Sequence, residues 1–117
     1  MVLCLNDHHT DYTALYHGDC VDVLRQLPDE SIDMSVFSPP FGDLFIYSNS
    51  AADMGNSADL REFMAHYRFF AEQLLRVLKP GRSALVHCSD WPMRKWKDGQ
   101  IGLYRFSDRL ADLHEEV

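Results

Sequence analysis

Apolar and polar residues are arranged along the chain in three successive units, each a strand pattern followed by a helix pattern. Short segments rich in apolar and β-branched residues predict strands over residues 13–16, 32–37 and 83–88. Apolar residues at three- and four-residue spacing predict helices over residues 21–27, 60–78 and 106–117. This order implies parallel strands joined by right-handed crossovers, so we expect an α/β domain.

The helix over residues 60–78 has the clearest amphipathic pattern. We expect its large, regularly spaced side chains to form the core: Phe63, Tyr67, Phe70 and Leu74. Asp59 and Glu62 resemble a capping box at its start, and the Lys-Pro-Gly sequence of residues 79–81 ends it. This helix therefore has sequence signals at both ends as well as along one face.

The connections suggest one domain, residues 1–117, whose sheet is unfinished. Three strands are few for a parallel sheet, and its edges would be exposed. Residues 42–57 form a long polar loop, and loops of that length in compact domains are often functional. Residues 89–102 are predicted to be irregular.

The net charge of −7 argues against tight non-specific binding to nucleic acid, but the charged residues are distributed unevenly along the chain. Residues 1–78 contain 4 basic and 12 acidic side chains, whereas residues 79–105 contain 6 basic and 2 acidic ones. Any contact with DNA phosphates is therefore predicted in the basic stretch around Lys79, Arg82, Arg94, Lys95 and Lys97. Of these, Arg94, Lys95 and Lys97 are the candidate DNA-binding residues. A solvated loop with scattered charges explains the same composition equally well.

Cysteine and histidine residues do not suggest a metal site or a disulfide framework. The three cysteines have no close spacing, and the six histidines include no His-x-x-x-His pair. We therefore expect no metal, no membrane association and a cytoplasmic location. Cys88 is interpreted as a small buried residue rather than as a nucleophile.

The residues with the most informative chemistry follow the second predicted strand: Ser38, Pro39, Pro40 and Phe41. An exocyclic amine of a nucleobase is a poor nucleophile because its lone pair is delocalised into the ring. Hydrogen-bond acceptors for both amine hydrogens localise that lone pair, and the Ser38 hydroxyl with the Pro39 carbonyl can supply them. Pro40 has no N–H to compete, and Phe41 offers a face on which a flipped base can stack.

A simpler interpretation is that two prolines merely end a strand. Four-residue matches are common by chance, so the tetrapeptide alone would favour that interpretation. Its position directly after an apolar strand, one strand–helix unit beyond Gly18 and Asp19, favours the catalytic one.

Residues 18–24 together with 32–41 resemble the DNA amino-methyltransferases, which modify exocyclic amines of cytosine or adenine. The resemblance is to the permuted subgroup, in which the catalytic motif precedes the cofactor motif. Residues 75–82, residues 85–88 and the loop containing residues 53–56 fit this subgroup too, and residues 98–103 are similar to phage and prophage members.

This resemblance implies a fold, a cofactor and site residues. It implies part of a Rossmann-like methyltransferase sheet, with S-adenosylmethionine as methyl donor and DNA as substrate. It implies that Ser38, Pro39 and Phe41 hold the target base and that Asp19, next to Gly18, lies near the adenosyl group. Serine at the first motif position is more typical of enzymes that methylate cytosine.

The chain departs from the family pattern in lacking a Phe-x-Gly-x-Gly cofactor motif and a target-recognition region. We therefore expect the N-terminal, catalytic-motif portion of a methyltransferase, inactive alone. Three functions stay open: such a catalytic portion, an inactive prophage remnant that oligomerises or binds DNA, and an unrelated small α/β binding module.

Overall fold

The computed structural model describes residues 2–40, 60–93, 99 and 101–117. Within these ranges the chain forms six strands and three helices. The strands are β1 (Asn6–His9), β2 (Ala14–His17), β3 (Ile32–Phe37), β4 (Leu78–Val86), β5 (Trp91–Met93) and β6 (Gly102–Tyr104). The helices are α1 (Cys20–Arg25), α2 (Leu60–Val77) and α3 (Phe106–Glu116).

The strands pair two by two. β3 and β4 form a parallel pair, in which Val36 lies beside Leu85 and Phe37 beside Val86. β1 with β2 and β5 with β6 form antiparallel pairs. The mixed helix and strand content agrees with the predicted α/β class, and β3, α2 and β4 have the parallel arrangement that the sequence predicted.

The expected sheet of three parallel strands is not present in the described residues. β2 pairs instead with β1, a strand that the sequence analysis missed. The turn between them is closed by the Thr10 amide, which donates to the Thr13 carbonyl at 2.8 Å. All four residues of β1 are polar and exposed, so main-chain hydrogen bonds rather than a hydrophobic pattern define this strand.

The core forms along one face of α2. The residues predicted to be buried there are all buried: Phe63, Tyr67, Phe70 and Leu74. The ring of Phe37 on β3 meets that of Phe70 edge-on at 4.8 Å between centroids, and Phe106 of α3 lies 5.5 Å from Phe63. The helix therefore packs on the parallel pair and on α3 at once.

The opposite face of the parallel pair is apolar and exposed. Side chains of a strand alternate between its two faces. Phe37 contacts Phe70 of α2, so Val36 and Met34 point to the other face. Their exposed fractions are 58% and 67%, and that of Leu85 beside Val36 is 52%. We call these three residues the open face.

β4 begins earlier than predicted. α2 ends at Val77, and the strand follows at once from Leu78 instead of residue 83; it ends at Val86 instead of residue 88. Leu78 pairs with Ile32 while Ser83 pairs with Met34, so the β4 segment contains extra residues. Gly81 has φ +77°, a value that favours glycine, and it lies in this bulge.

The segment predicted to be irregular, residues 89–102, contains β5 and the first residue of β6, which pair antiparallel. Trp91 is buried and stacks on Tyr104 with 4.8 Å between ring centroids. Trp91 is therefore part of the packed core. A strand was not expected because Pro92 lies at its centre.

Arg76 links α1 to α2. Its guanidinium donates to the carbonyl oxygens of Leu24 at 2.7 Å and Leu27 at 2.9 Å, and it pairs with Asp29 at 2.6 Å. The Leu24 carbonyl lies in the last turn of α1 and also accepts from the Leu27 amide at 3.1 Å, whereas the Leu27 carbonyl lies just after the helix.

Candidate active site

Ser38 and His87 lie side by side, one residue beyond the paired ends of β3 and β4. The backbone N–H of His87 donates to the Phe37 carbonyl at 2.9 Å, which extends the ladder by one bond. Ser38 Oγ is 3.2 Å from His87 Nδ1 and 3.0 Å from the His87 carbonyl oxygen. Both side chains are exposed, at the strand ends where parallel sheets commonly bind ligands.

The two prolines of the motif differ from Ser38 in exposure. Pro39 is buried and Pro40 is half-buried, so the backbone is anchored immediately after the exposed serine. Neither residue has an N–H donor, and each ring restricts φ. The third predicted base-holding residue, Phe41, lies outside the described residues, as does the long polar loop.

Asp19 caps the first helix. Its Oδ1 atom accepts from the backbone amides of Val21 at 3.0 Å and Asp22 at 3.2 Å, as a helix N-cap does. Gly18 is close to the N-terminal segment, because a Cβ atom there would lie 3.2 Å from Cys4 Cβ. Asp19 and Ser38 follow strands of different sheets, so the described pairing does not join them.

The residues predicted to bind DNA, Arg94, Lys95 and Lys97, lie outside the described residues. Two other cations of the basic stretch lie at the far end of the parallel pair from Ser38. Lys79 Nζ is 2.8 Å from Asp33 Oδ1, and Arg82 is 4.0 Å from the same oxygen. The hydrogen bond and charge of Lys79 lower the pKa of Asp33 below its usual range.

Cys88 does not have the surroundings of an activated nucleophile. Burial, together with the charge of Asp90, raises the pKa of its thiol above the ordinary value. A raised pKa reduces the thiolate fraction on which nucleophilic attack depends. The sequence predicted a buried residue here, and Cys88 is half-buried.

Among the described residues, no three histidine, cysteine or acidic side chains lie close enough together to hold a metal ion. No helix in the same part of the chain is both long enough and apolar enough to cross a membrane.

An open groove of about 480 Å³ lies away from the strand ends, between α2 and α3. Its lining includes Arg61, Arg68 and Arg109 together with Asp112 and Glu116. Arg68 is already paired with Glu116 at 3.0 Å. Neither Ser38 nor His87 lines this groove, so its size does not make it the candidate site.

His87 is the residue of this site that the sequence analysis missed. It was included in residues 85–88 of the resemblance and rejected as a metal ligand, but it was given no role in the site. The available signal was its position directly after the apolar centre of a predicted parallel strand, the same position that Ser38 has after β3. The strand register then brings together two residues that are 49 positions apart.

No model of a protein family matches the chain, and no solved structure matches it. Several curated proteins are similar to parts of it. Type II methyltransferase M.BamHI of Bacillus amyloliquefaciens is 32% identical over 79 residues, which are 68% of this chain and 18% of that protein. Type II methyltransferase M.SfiI of Streptomyces fimbriatus is 32% identical over 77 residues, 66% of this chain and 18% of that protein.

Type II methyltransferase M.PvuII of Proteus hauseri is 28% identical over 103 residues, 88% of this chain and 29% of that protein. The chain therefore spans less than a third of the length of these relatives. Over most of its length the chain is therefore similar to part of several type II methyltransferases.

Proposed function

We propose that this chain is the catalytic-motif portion of a DNA methyltransferase that transfers a methyl group from S-adenosylmethionine to an exocyclic amine of cytosine or adenine. The observation that carries the proposal is the exposed Ser38 hydroxyl at the end of β3, directly before a buried proline. Similarity to type II methyltransferases over two thirds of the chain supports it.

The motif supplies what amine methylation requires of a protein. A target amine has two N–H donors, and its nitrogen attacks a methyl group best when both donors are engaged by acceptors. The Ser38 hydroxyl oxygen and the Pro39 carbonyl oxygen are such acceptors, one residue apart. Pro40 contributes no competing N–H, and Phe41 is proposed to stack on the flipped base. By resemblance, serine at position 38 favours cytosine as the target.

The methyl donor would contact Gly18 and Asp19. Oδ1 of Asp19 is used to cap α1, whereas Oδ2 remains an acceptor that suits a ribose hydroxyl of the adenosyl group. Two residues cannot enclose a molecule of that size. We therefore propose that further chain completes the donor site, whether it belongs to the same polypeptide or to another.

The parallel pair supports a sheet with more strands than the described ones. β2, α1 and β3 follow one another as a crossover unit would, yet β2 and β3 are not hydrogen-bonded. At least one further strand between them would restore a Rossmann-like sheet. Parallel sheets are normally covered on both faces, and the open face of Met34, Val36 and Leu85 is not. A fuller methyltransferase would add strands and helices there.

The alternative is an inactive remnant that acts, if at all, as an oligomerising or DNA-binding module. The open face is the observation in its favour, because a second copy could cover the same apolar residues. The two functions differ in whether Ser38 is needed for methyl transfer.

Methyl transfer from labelled S-adenosylmethionine to a DNA duplex tests the proposal. We expect no transfer by the isolated chain, transfer by a fuller protein that contains it, and loss of that transfer in Ser38→Ala. Ser83→Ala is the matched control, because Ser83 is exposed on β4 away from the motif and should leave the rate unchanged. Transfer that survives Ser38→Ala would contradict the catalytic assignment.

Calorimetric titration of the isolated chain with S-adenosylmethionine, with and without the duplex, tests the incomplete donor site. We expect no detectable heat of binding. Micromolar binding by the isolated chain would contradict an incomplete site.

A further inference from the structure

His87 is the described residue whose atoms surround the Ser38 hydroxyl. Its Nδ1 and its carbonyl oxygen lie 3.2 Å and 3.0 Å from Ser38 Oγ. The N–H of the same residue is held by the Phe37 carbonyl at 2.9 Å. Because main-chain pairing of β3 with β4 fixes both partners, the contact follows from the sheet register.

The direction of the hydroxyl proton decides what Ser38 can do. A serine hydroxyl has one proton and two lone pairs. If it rotated freely, it would often present its proton to an approaching amine, and two donors facing each other repel. If its proton is held elsewhere, only lone pairs remain for the amine hydrogens.

His87 offers two acceptors for that single proton. Its carbonyl oxygen is one, and Nδ1 is the other when the imidazole proton is on Nε2. Both belong to the same residue, so either bond turns the proton towards β4. The lone pairs of Ser38 Oγ are then directed to the other side, and the serine is exposed.

We propose that His87 is a positioning residue: with Nδ1 unprotonated, it holds the Ser38 hydroxyl proton so that Oγ meets the substrate amine only as an acceptor. This role rests on the proposed function for its purpose, whereas the tautomer and the hydrogen bond can be tested without it. His87 acts through Ser38 and needs no contact with the base or the methyl donor.

Nuclear magnetic resonance of the chain labelled with ¹⁵N-histidine tests the tautomer directly. We expect the Nδ1 signal of His87 at the chemical shift of an unprotonated imidazole nitrogen and Nε2 at that of a protonated one. Ser38→Ala should shift the Nδ1 signal, and the control Ser83→Ala should leave it in place. A protonated Nδ1, or a His87 signal unaffected by Ser38→Ala, would overturn the proposal; the first result requires no variant to fold.

Kinetics of a fuller methyltransferase that contains the chain give a second readout. His87→Ala removes the Nδ1 acceptor but keeps the carbonyl oxygen, so it should lower kcat by at most about tenfold, with little change in KM. His87→Asn keeps an acceptor near the position of Nδ1 and should restore most of the rate. Equal loss in both variants, or no loss in either, would contradict the positioning role.

The two proposals fail in distinguishable ways. An unprotonated Nδ1 that responds to Ser38→Ala, combined with no methyl transfer by any protein containing the chain, would leave the hydrogen bond intact and refute the proposed function. Methyl transfer that requires Ser38 but not His87 would support the proposed function and refute this inference.

Discussion

His114 is paired with a tyrosine in a setting that disfavours its charged form. Its Nε2 atom is 2.7 Å from the Tyr67 hydroxyl, and burial lowers the pKa of the imidazole below its ordinary value. Burial also raises the pKa of Tyr67, so the phenol keeps its proton. The pair is therefore a contact between two neutral groups on α2 and α3.

A histidine with a lowered pKa in the folded state makes stability depend on pH. The unfolded chain takes up the proton first, so the free energy of unfolding should fall between about pH 7.5 and about pH 5.5. Urea titrations across this range measure it. His114→Gln, which can still bond to Tyr67, should reduce that fall; an identical pH dependence in both proteins would contradict the assignment.

At the scale of elements, α2 has a buried and an exposed side that mutation can separate. Phe63 is completely buried, whereas Leu75 is 59% exposed on the same helix. Phe63→Ala should lower the free energy of unfolding by about 3–5 kcal/mol, because it removes a core ring and leaves a cavity. Leu75→Ala should change it by less than ~0.5 kcal/mol. Denaturant unfolding of both variants makes the comparison, and similar losses would contradict the described packing.

The elements with a repeating apolar pattern could be predicted from the sequence, and the others could not. α2 buries apolar side chains at helical spacing, and β3 is rich in apolar and β-branched residues, so their bounds were predicted nearly as observed. β1 consists of Asn-Asp-His-His and is held by main-chain hydrogen bonds to β2. Such bonds do not depend on apolar side chains, so the sequence has no hydrophobic pattern from which this strand could be predicted. β5 has a central proline and depends on the stacking of Trp91 with Tyr104.

The candidate site, like the fold, was predictable from the sequence only in part. Ser38 and the two prolines form one continuous motif at a strand end, so the sequence alone indicated them. His87 became part of the site through the register of β3 with β4, and register is a property of the folded pair. Pairing partners 49 residues apart cannot be read from one sequence.

At the scale of the whole molecule, the open face should make the isolated chain self-associate. Met34, Val36 and Leu85 form a continuous apolar row, and β3 has a partner on one edge only among the described strands. Sedimentation across a concentration series should show association. The triple variant Met34→Gln, Val36→Thr, Leu85→Gln should reduce it, whereas Leu103→Gln, an equally exposed leucine on β6, should not. A monomeric wild-type chain at all concentrations would contradict this expectation.

The guanidinium of Arg76 bears on the order in which the chain folds. A helix of six residues such as α1 is too short to persist alone, and the Leu24 carbonyl in its last turn and the Leu27 carbonyl just after it accept from a side chain 49 to 52 positions later. We therefore expect α1 to become stable when α2 docks against it. On this account the segment that includes Asp19 becomes ordered after α2.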